Sequence, residues 1–190
     1  TIDLPEYFCV HSLEWSPVGE RIIFIGGADN HEVFAVEADG SNLVNLTNSA
    51  AEDWNATWSP DGTQILFTAH DDDNGLYVMD ADGSNATFRS EHAGGTDLQW
   101  SPDGSRILYN SKCGTDAIFM QICLMDPDGS NPVNLTDPPS DDWHPAWSPD
   151  GSRIAFVGRR AEAGIFVMNA DGSGLSFLVE GGQPAWSPSQ

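Results

Sequence analysis

The chain is 190 residues long and sets 29 Asp and Glu against 7 Lys and Arg, a formal charge of −22. A field of that sign repels phosphate backbones and anionic membrane surfaces and attracts divalent cations and basic partners, so nucleic acid is excluded as a partner. The length suits one domain or one repeat array. No apolar run is long enough to span a bilayer, and no basic-then-apolar leader opens the sequence, so a secreted chain is expected to have lost its signal already.

The first apolar stretch, residues 7–15, ends on Trp15-Ser16-Pro17, and the same tripeptide recurs at Trp58, Trp100, Trp147 and Trp186, at intervals of 43, 42, 47 and 39 residues. An interval near forty is that of one small antiparallel sheet per repeat. Three copies continue as Ser-Pro-Asp-Gly (Ser59–Gly62, Ser101–Gly104, Ser148–Gly151), and the first reads Ser16-Pro17-Val18-Gly19. Pro fixes φ at the first corner and Gly accepts a positive φ at the last, so each copy predicts a tight reversal between strands.

Each reversal leads into a short β-branched and aromatic run: Arg21–Phe24, Gln64–Phe67, Arg106–Tyr109 and Arg153–Phe156. A second run follows, clearest at Leu76–Met79 and Ile165–Met168, and closes on a second turn at Ala38–Ser41, Ala81–Ser84, Pro127–Ser130 and Ala170–Ser173. Asp-Gly between apolar runs is a strong hairpin signal. A fourth strand, as in Leu43–Thr47 or Val133–Thr136, completes the repeat, and nothing in the chain has helical periodicity.

The predicted fold is therefore all-β, a β-propeller of four four-stranded antiparallel blades at about 7–47, 52–90, 95–136 and 141–179 in a single domain over 1–190, with one surplus C-terminal inner strand at 183–188. A lone sheet cannot bury both faces, whereas radial stacking lets each blade shield its neighbours. The repeated Trp is expected to wedge between blades with its indole N–H on a loop carbonyl.

Trp-Ser-Pro-Asp-Gly-x-x-Ile-x-Phe, followed by an apolar strand, Asp-Gly-Ser and Leu-Thr, resembles the repeat of the TolB-like propellers, also called PD40 or WD40-like repeats, over residues 10–188. The resemblance implies the fold far more specifically than any activity, because such repeats occur in periplasmic scaffolds, in peptidase propellers and in cell-surface proteins. The family's propeller has six blades, so three arrangements stay open for this chain: a four-bladed ring with overlapping closure, part of a larger ring, or a terminal strand donated to another subunit. An unpaired strand is a template for pairing with a second chain, and head-to-tail assembly of copies follows from the last arrangement.

Catalytic signatures are missing: there is no Gly-x-Ser-x-Gly elbow, no His-Glu-x-x-His and no phosphate loop. His11, His31, His70, His92 and His144 fall at different points of the repeat. His144, however, stands three residues before its Trp, as do Ser12, Asn55, Asp97 and Gln183, and a propeller gathers equivalent inner-strand positions into a ring of polar groups able to hold water, an ion or a partner's side chain. Asp53 and Asp142, each five residues before its Trp, join Asp97 as hard oxygen ligands suited to Ca²⁺ at the channel mouth. The loops Asp80–Asn85 and Asp126–Asn131 open like calcium loops but lack the distal Glu, so hairpin geometry accounts for them.

Arg21, Arg106 and Arg153 share one repeat position and are expected to pair with turn carboxylates or stack near Trp. Asn45, Asn55, Asn85 and Asn134 head glycosylation sequons. Cys113 and Cys123 bracket one loop and Cys9 stands apart; a Cys113–Cys123 disulfide and buried thiols are the two readings. Together these features describe a non-enzymatic, extracytoplasmic module, periplasmic, secreted or on the cell surface, that binds a protein or peptide or assembles with copies of itself, including as a filament subunit. The alternative is the propeller portion of a larger hydrolase or lyase with its site in the channel.

Overall fold

The computed structural model describes residues 8–70, 75–91, 97–112, 118–182 and 184–186. Sixteen strands and no helix make up the regular structure of these residues, arranged as four antiparallel four-stranded sheets, the architecture of a four-blade β-propeller. Two compact units, Thr1–His92 and Ala93–Gln190, carry two sheets each.

In the first unit, β1 (Cys9–Trp15), β2 (Arg21–Gly27), β3 (Glu32–Glu37) and β4 (Val44–Asn45) form one blade in sequence order. The next consists of β5 (Glu52–Trp58), β6 (Gln64–His70), β7 (Gly75–Asp80) and β8 (Thr87–Glu91). The two close on a shared apolar seam in which Trp58 meets Ile23, Ile25 and Ala35 of the first blade and Ile65, Phe67 and Met79 of its own. Trp58 is 4% exposed, whereas Trp15, its counterpart in the first blade, is 52% exposed.

The second unit repeats the plan with β9 (Leu98–Trp100), β10 (Ile107–Ser111), β11 (Gln121–Met125) and β12 (Val133–Asn134), then β13 (Asp141–Trp147), β14 (Arg153–Arg159), β15 (Ala163–Asn169) and β16 (Ser176–Val179). Leu108, Ile122 and Leu124 pack against Ile154, Phe156, Phe166 and Met168, with Trp147 against the cluster. Each seam is also closed by a turn glycine. A Cβ on Gly83 would stand 2.8 Å from the Leu46 carbonyl oxygen of the preceding blade, and one on Gly172 would stand 3.3 Å from that of Leu135. With φ near +85° as well, these two positions favour glycine both sterically and conformationally.

The Ser-Pro-Asp-Gly reversals are held by a repeated set of hydrogen bonds. Ser101 Oγ donates to Asp103 Oδ1 at 2.6 Å and accepts from Arg106 N at 2.9 Å, while Ser105 donates both its N–H and its hydroxyl to the same Asp103 oxygen. Ser59 with Asp61 and Ser148 with Asp150 do the same. The Ser101 hydroxyl and the Ser105 donors hold the Asp103 carboxyl down to about 2, and the equivalent bonds from Ser148 and Ser152 do so for Asp150. In the first blade Val18 takes the place of the Asp, so Ser16 Oγ still accepts from Glu20 N and Arg21 N but has no carboxylate to donate to.

The repeated tryptophans depart from expectation in one respect. The indole N–H groups of Trp58, Trp100 and Trp147 are buried without a hydrogen-bond partner, whereas that of Trp186 donates to Ala146 O at 3.0 Å. Glu14 accepts from the backbone of Trp58, and Gln99 Oε1 from Trp147 N at 3.3 Å, so in these two blades a long side chain receives the next blade's backbone. Arg153 covers the Trp186 ring at 5.0 Å and Arg106 bonds Asp126 at 2.9 Å, as expected for this repeat position, whereas Arg21 donates to a backbone carbonyl, Ala81 O at 2.7 Å.

Of the expected surplus strand, Pro184–Trp186 lies in no ladder, and Gln183 and 187–188 fall outside the described residues. Cys123 is buried and disulfide-bonded and Cys9 is free and exposed; Cys113 lies outside the described residues. No helix among the described residues is long and apolar enough to cross a membrane.

The unfinished turn of the first blade yields a prediction. Replacing Val18 by Asp together with Glu20→Ser supplies the missing carboxylate and hydroxyl, and should stabilise the chain by about 1 kcal/mol, a rise of roughly 2–4 °C in Tm by calorimetry. An unchanged or lowered Tm would show that the turn network contributes nothing.

Candidate functional site

Three of the five residues standing third before a repeat Trp have left-handed backbones: Ser12 (φ 44°), Asn55 (φ 55°) and His144 (φ 51°). Each sits where its inner strand slips register against the second strand of the blade, between His11 and Leu13, Trp54 and Thr57, and Trp143 and Ala146. These are β-bulges. An inserted residue leaves the ladder, and its backbone N–H and side chain are re-aimed away from the sheet. Positive φ is uncommon for residues other than Gly, and such conformations concentrate at ligand clamps and active sites.

In the second unit the freed groups have a receiver. Asp97, immediately before β9, accepts the His144 backbone N–H on Oδ2 at 3.0 Å, and its Oδ1 stands 3.2 Å from His144 Nδ1. Asp97 is itself fixed by Asn110, whose Oδ1 accepts from Asp97 N at 3.0 Å and whose N–H donates to Asp97 O at 3.3 Å. The two side chains are 23% and 42% exposed, so the pair is anchored yet open to solvent. In the first unit, Ser12 is exposed and Asn55 Nδ2 lies 3.5 Å from Thr68 Oγ1. Gln183 lies outside the described residues.

Of the residues considered as calcium ligands, Asp53 and Asp142 are buried. Asp142 is fully enclosed, receiving Arg160 Nη2 at 2.8 Å and the Ser140 hydroxyl at 3.2 Å on Oδ2. Burial pushes its carboxyl up, and the bonds from Thr136, Arg160 and Ser140 work against that rise. Asp97 is engaged by His144. The described residues hold no group of three or more His, Cys, Asp or Glu side chains able to bind a metal. In the calcium-loop look-alikes, Asn85 and Asn131 each donate at 2.7 Å to the leading Asp80 and Asp126, so local hydrogen bonds occupy those carboxylates.

Among the sequon residues, Asn85 and Asn134 are exposed and Asn45 and Asn55 are half-buried. Asn45 Oδ1 accepts from Thr47 N and Asn48 N, and Asn134 donates to Gln121 Oε1.

Sequence reasoning overlooked the residues fourth before Trp58 and Trp147. Trp54 packs on His31 with ring centres 4.3 Å apart and near His11 at 6.1 Å, and Trp143 lies under Arg159 at 5.2 Å. The repeated Asp-Trp dipeptide at 53–54 and 142–143 was the available signal.

The family profile for the TolB beta propeller domain matches residues 9–190. The chain belongs to that family. Among solved structures, the TolB candidate of Agrobacterium tumefaciens is 26% identical with a TM-score of 0.75, the match covering 92% of this chain and 69% of that one. TolB from Acinetobacter baumannii is 20% identical with a TM-score of 0.70, over 88% of this chain and 42% of that one. An oligogalacturonate lyase solved with manganese shares the fold at 17% identity and a TM-score of 0.71, over 91% of this chain and 54% of that one. No curated protein matches the sequence. The TolB propeller repeat thus accounts for both the sequence periodicity and the sheet architecture.

The buried ion pair gives the second prediction. Arg160→Ala leaves the Asp142 carboxylate enclosed without its cation, which should destabilise the chain by about 3–5 kcal/mol at neutral pH in urea denaturation. A carboxyl raised by burial favours the folded state only when protonated, so the deficit is present above its folded pKa. It should shrink as pH falls through that value toward the unfolded range near 4. A deficit that does not change with pH would mean Asp142 is not the group responsible.

Proposed function

We propose that this TolB-family propeller is a non-catalytic extracytoplasmic module that binds a protein or peptide through the polar residues bulged out of its inner strands. The observation that carries the reading is the left-handed backbone at Ser12, Asn55 and His144. Three equivalent residues, none of them glycine, accept an unfavourable conformation, and in each the strand gives up a ladder position to present a polar side chain. The Asp97–His144 pair supports the same reading, because it fixes donors and acceptors before any partner arrives and so reduces the ordering cost of binding. The disulfide at Cys123 favours an oxidising compartment.

Peptides selected from a display library against the native protein test this. Their affinity should fall at least about tenfold in Asp97→Ala/His144→Ala, the equivalent of losing one charge-assisted contact, while the thermal transition persists. Equal binding by the double variant would reject the inner-strand site.

Self-assembly is the second reading, favoured by the exposure of Val10, Leu13 and Trp15 on β1 and of Phe177, Leu178 and Val179 on β16. Exposed apolar strands of this kind suit pairing with another copy. Light scattering should then show mass rising with concentration, and Trp15→Ser should prevent the rise. A single 20.5 kDa species at all concentrations would end this reading.

A further inference from the structure

Outside the inner-strand site, the second unit holds a pocket of about 350 Å³ lined by Asp137, Pro138, Pro139, Ser140, Arg159, Arg160 and Ala161. It contains two of the chain's seven basic residues in a molecule of formal charge −22. Arg160 is held rigidly, its Nη2 on the enclosed Asp142 and its guanidinium 5.8 Å and 5.5 Å from the ring centres of Phe156 and Phe166. Its charge is balanced by that carboxylate. Arg159 lies over Trp143 at 5.2 Å and makes no hydrogen bond or ion pair among the described residues. A guanidinium stacked on an indole is pre-oriented while its N–H fork stays available.

The 137–140 part of the lining is also fixed. The Ser140 hydroxyl donates to Asp137 O at 3.3 Å and Asp142 Oδ2 at 3.2 Å, tying the 137–140 loop to the buried ion pair. Asp137 is exposed and, as a carboxylate, can only accept, and Pro138, Pro139 and Ala161 add apolar surface. A cation free among the described residues, an acceptor and an apolar wall within a few hundred Å³ define a small ligand.

We propose that this pocket binds an α-substituted monocarboxylate, the carboxylate on Arg159, an N–H or O–H of the α-substituent on Asp137, and the side chain against Pro138 and Pro139. The overall negative field disfavours polyanions, so a single charge on an otherwise neutral molecule is the form that fits. Two sources carry this chemistry: a free hydroxy or acylamino acid, and the C-terminal carboxylate of a peptide, whose last amide N–H is the matching donor. The inference is independent of the inner-strand site.

The test is amide NMR titration of the intact chain with N-acetyl-L-alanine, with acetyl-trialanine bearing a free C-terminus, and with the same peptide amidated. Saturable shifts at Ser140 and Ala161 with either acid, absent with the amide, are expected. Arg159→Gln should weaken binding roughly tenfold or more, as loss of a charged hydrogen-bond donor does, and Asp137→Asn should narrow the preference for N-acetyl-alanine over propionate. Asp97→Ala/His144→Ala should bind as the native chain does. Binding of N-acetyl-alanine alone assigns the site to a free acid, and binding of the peptide alone or of both includes a chain terminus. The proposal is overturned by equal shifts with the amide, by unchanged affinity in Arg159→Gln, or by no localised shift with either acid.

Discussion

The structure depends on the burial of sheet faces against one another at the blade seams. A four-stranded antiparallel blade with strands of two to seven residues has two faces and too little mass of its own to cover either. Within each unit the answer is the same: aliphatic residues from the second and third strands of one blade meet those of the next, and the repeat Trp packs into or against the cluster. Burying an indole and its aliphatic neighbours contributes on the order of several kcal/mol per seam, enough to exceed the cost of leaving the Trp58 and Trp147 N–H groups without partners.

That balance explains which features the sequence displayed. Turns are readable because Pro and Gly are needed at particular backbone angles, and the spacing of Trp-Ser-Pro revealed the repeat before any strand was assigned. The strand pairing of all four sheets followed from short apolar runs between two turns. The behaviour of the indole N–H was less visible, since the same tripeptide leaves that of Trp58, Trp100 and Trp147 buried and unpaired and puts that of Trp186 on Ala146 O.

The candidate site was half legible. Alignment of the repeats picked out Ser12, Asn55, Asp97 and His144, and the coordinates join the last two. The left-handed backbone at Ser12, Asn55 and His144 could not be foreseen, because Ser and His give no compositional hint of a bulge where a glycine would have. The surroundings of the acidic residues were not legible. Asp53 and Asp142, singled out by repeat position as calcium ligands, are both buried, and the cation that balances Asp142 lies 18 residues away in Arg160.

The slip in β13 has an effect beyond the residue it ejects, because it reverses the odd–even rule of the strand. In an unbroken strand Trp143 and Trp147, four apart, would point the same way, and Asp142 and Trp147, five apart, would point oppositely. The ladder instead sets Trp143 across from Val157, Asp142 across from Gly158 and Trp147 across from Ile154. Asp142 therefore joins Trp147 on the seam side, and Trp143 turns to the other, beneath Arg159. One supernumerary residue thus distributes two tryptophans and a carboxylate between two surfaces, and losing or gaining a single residue in this stretch would exchange those surfaces wholesale, whereas a change of two would preserve them.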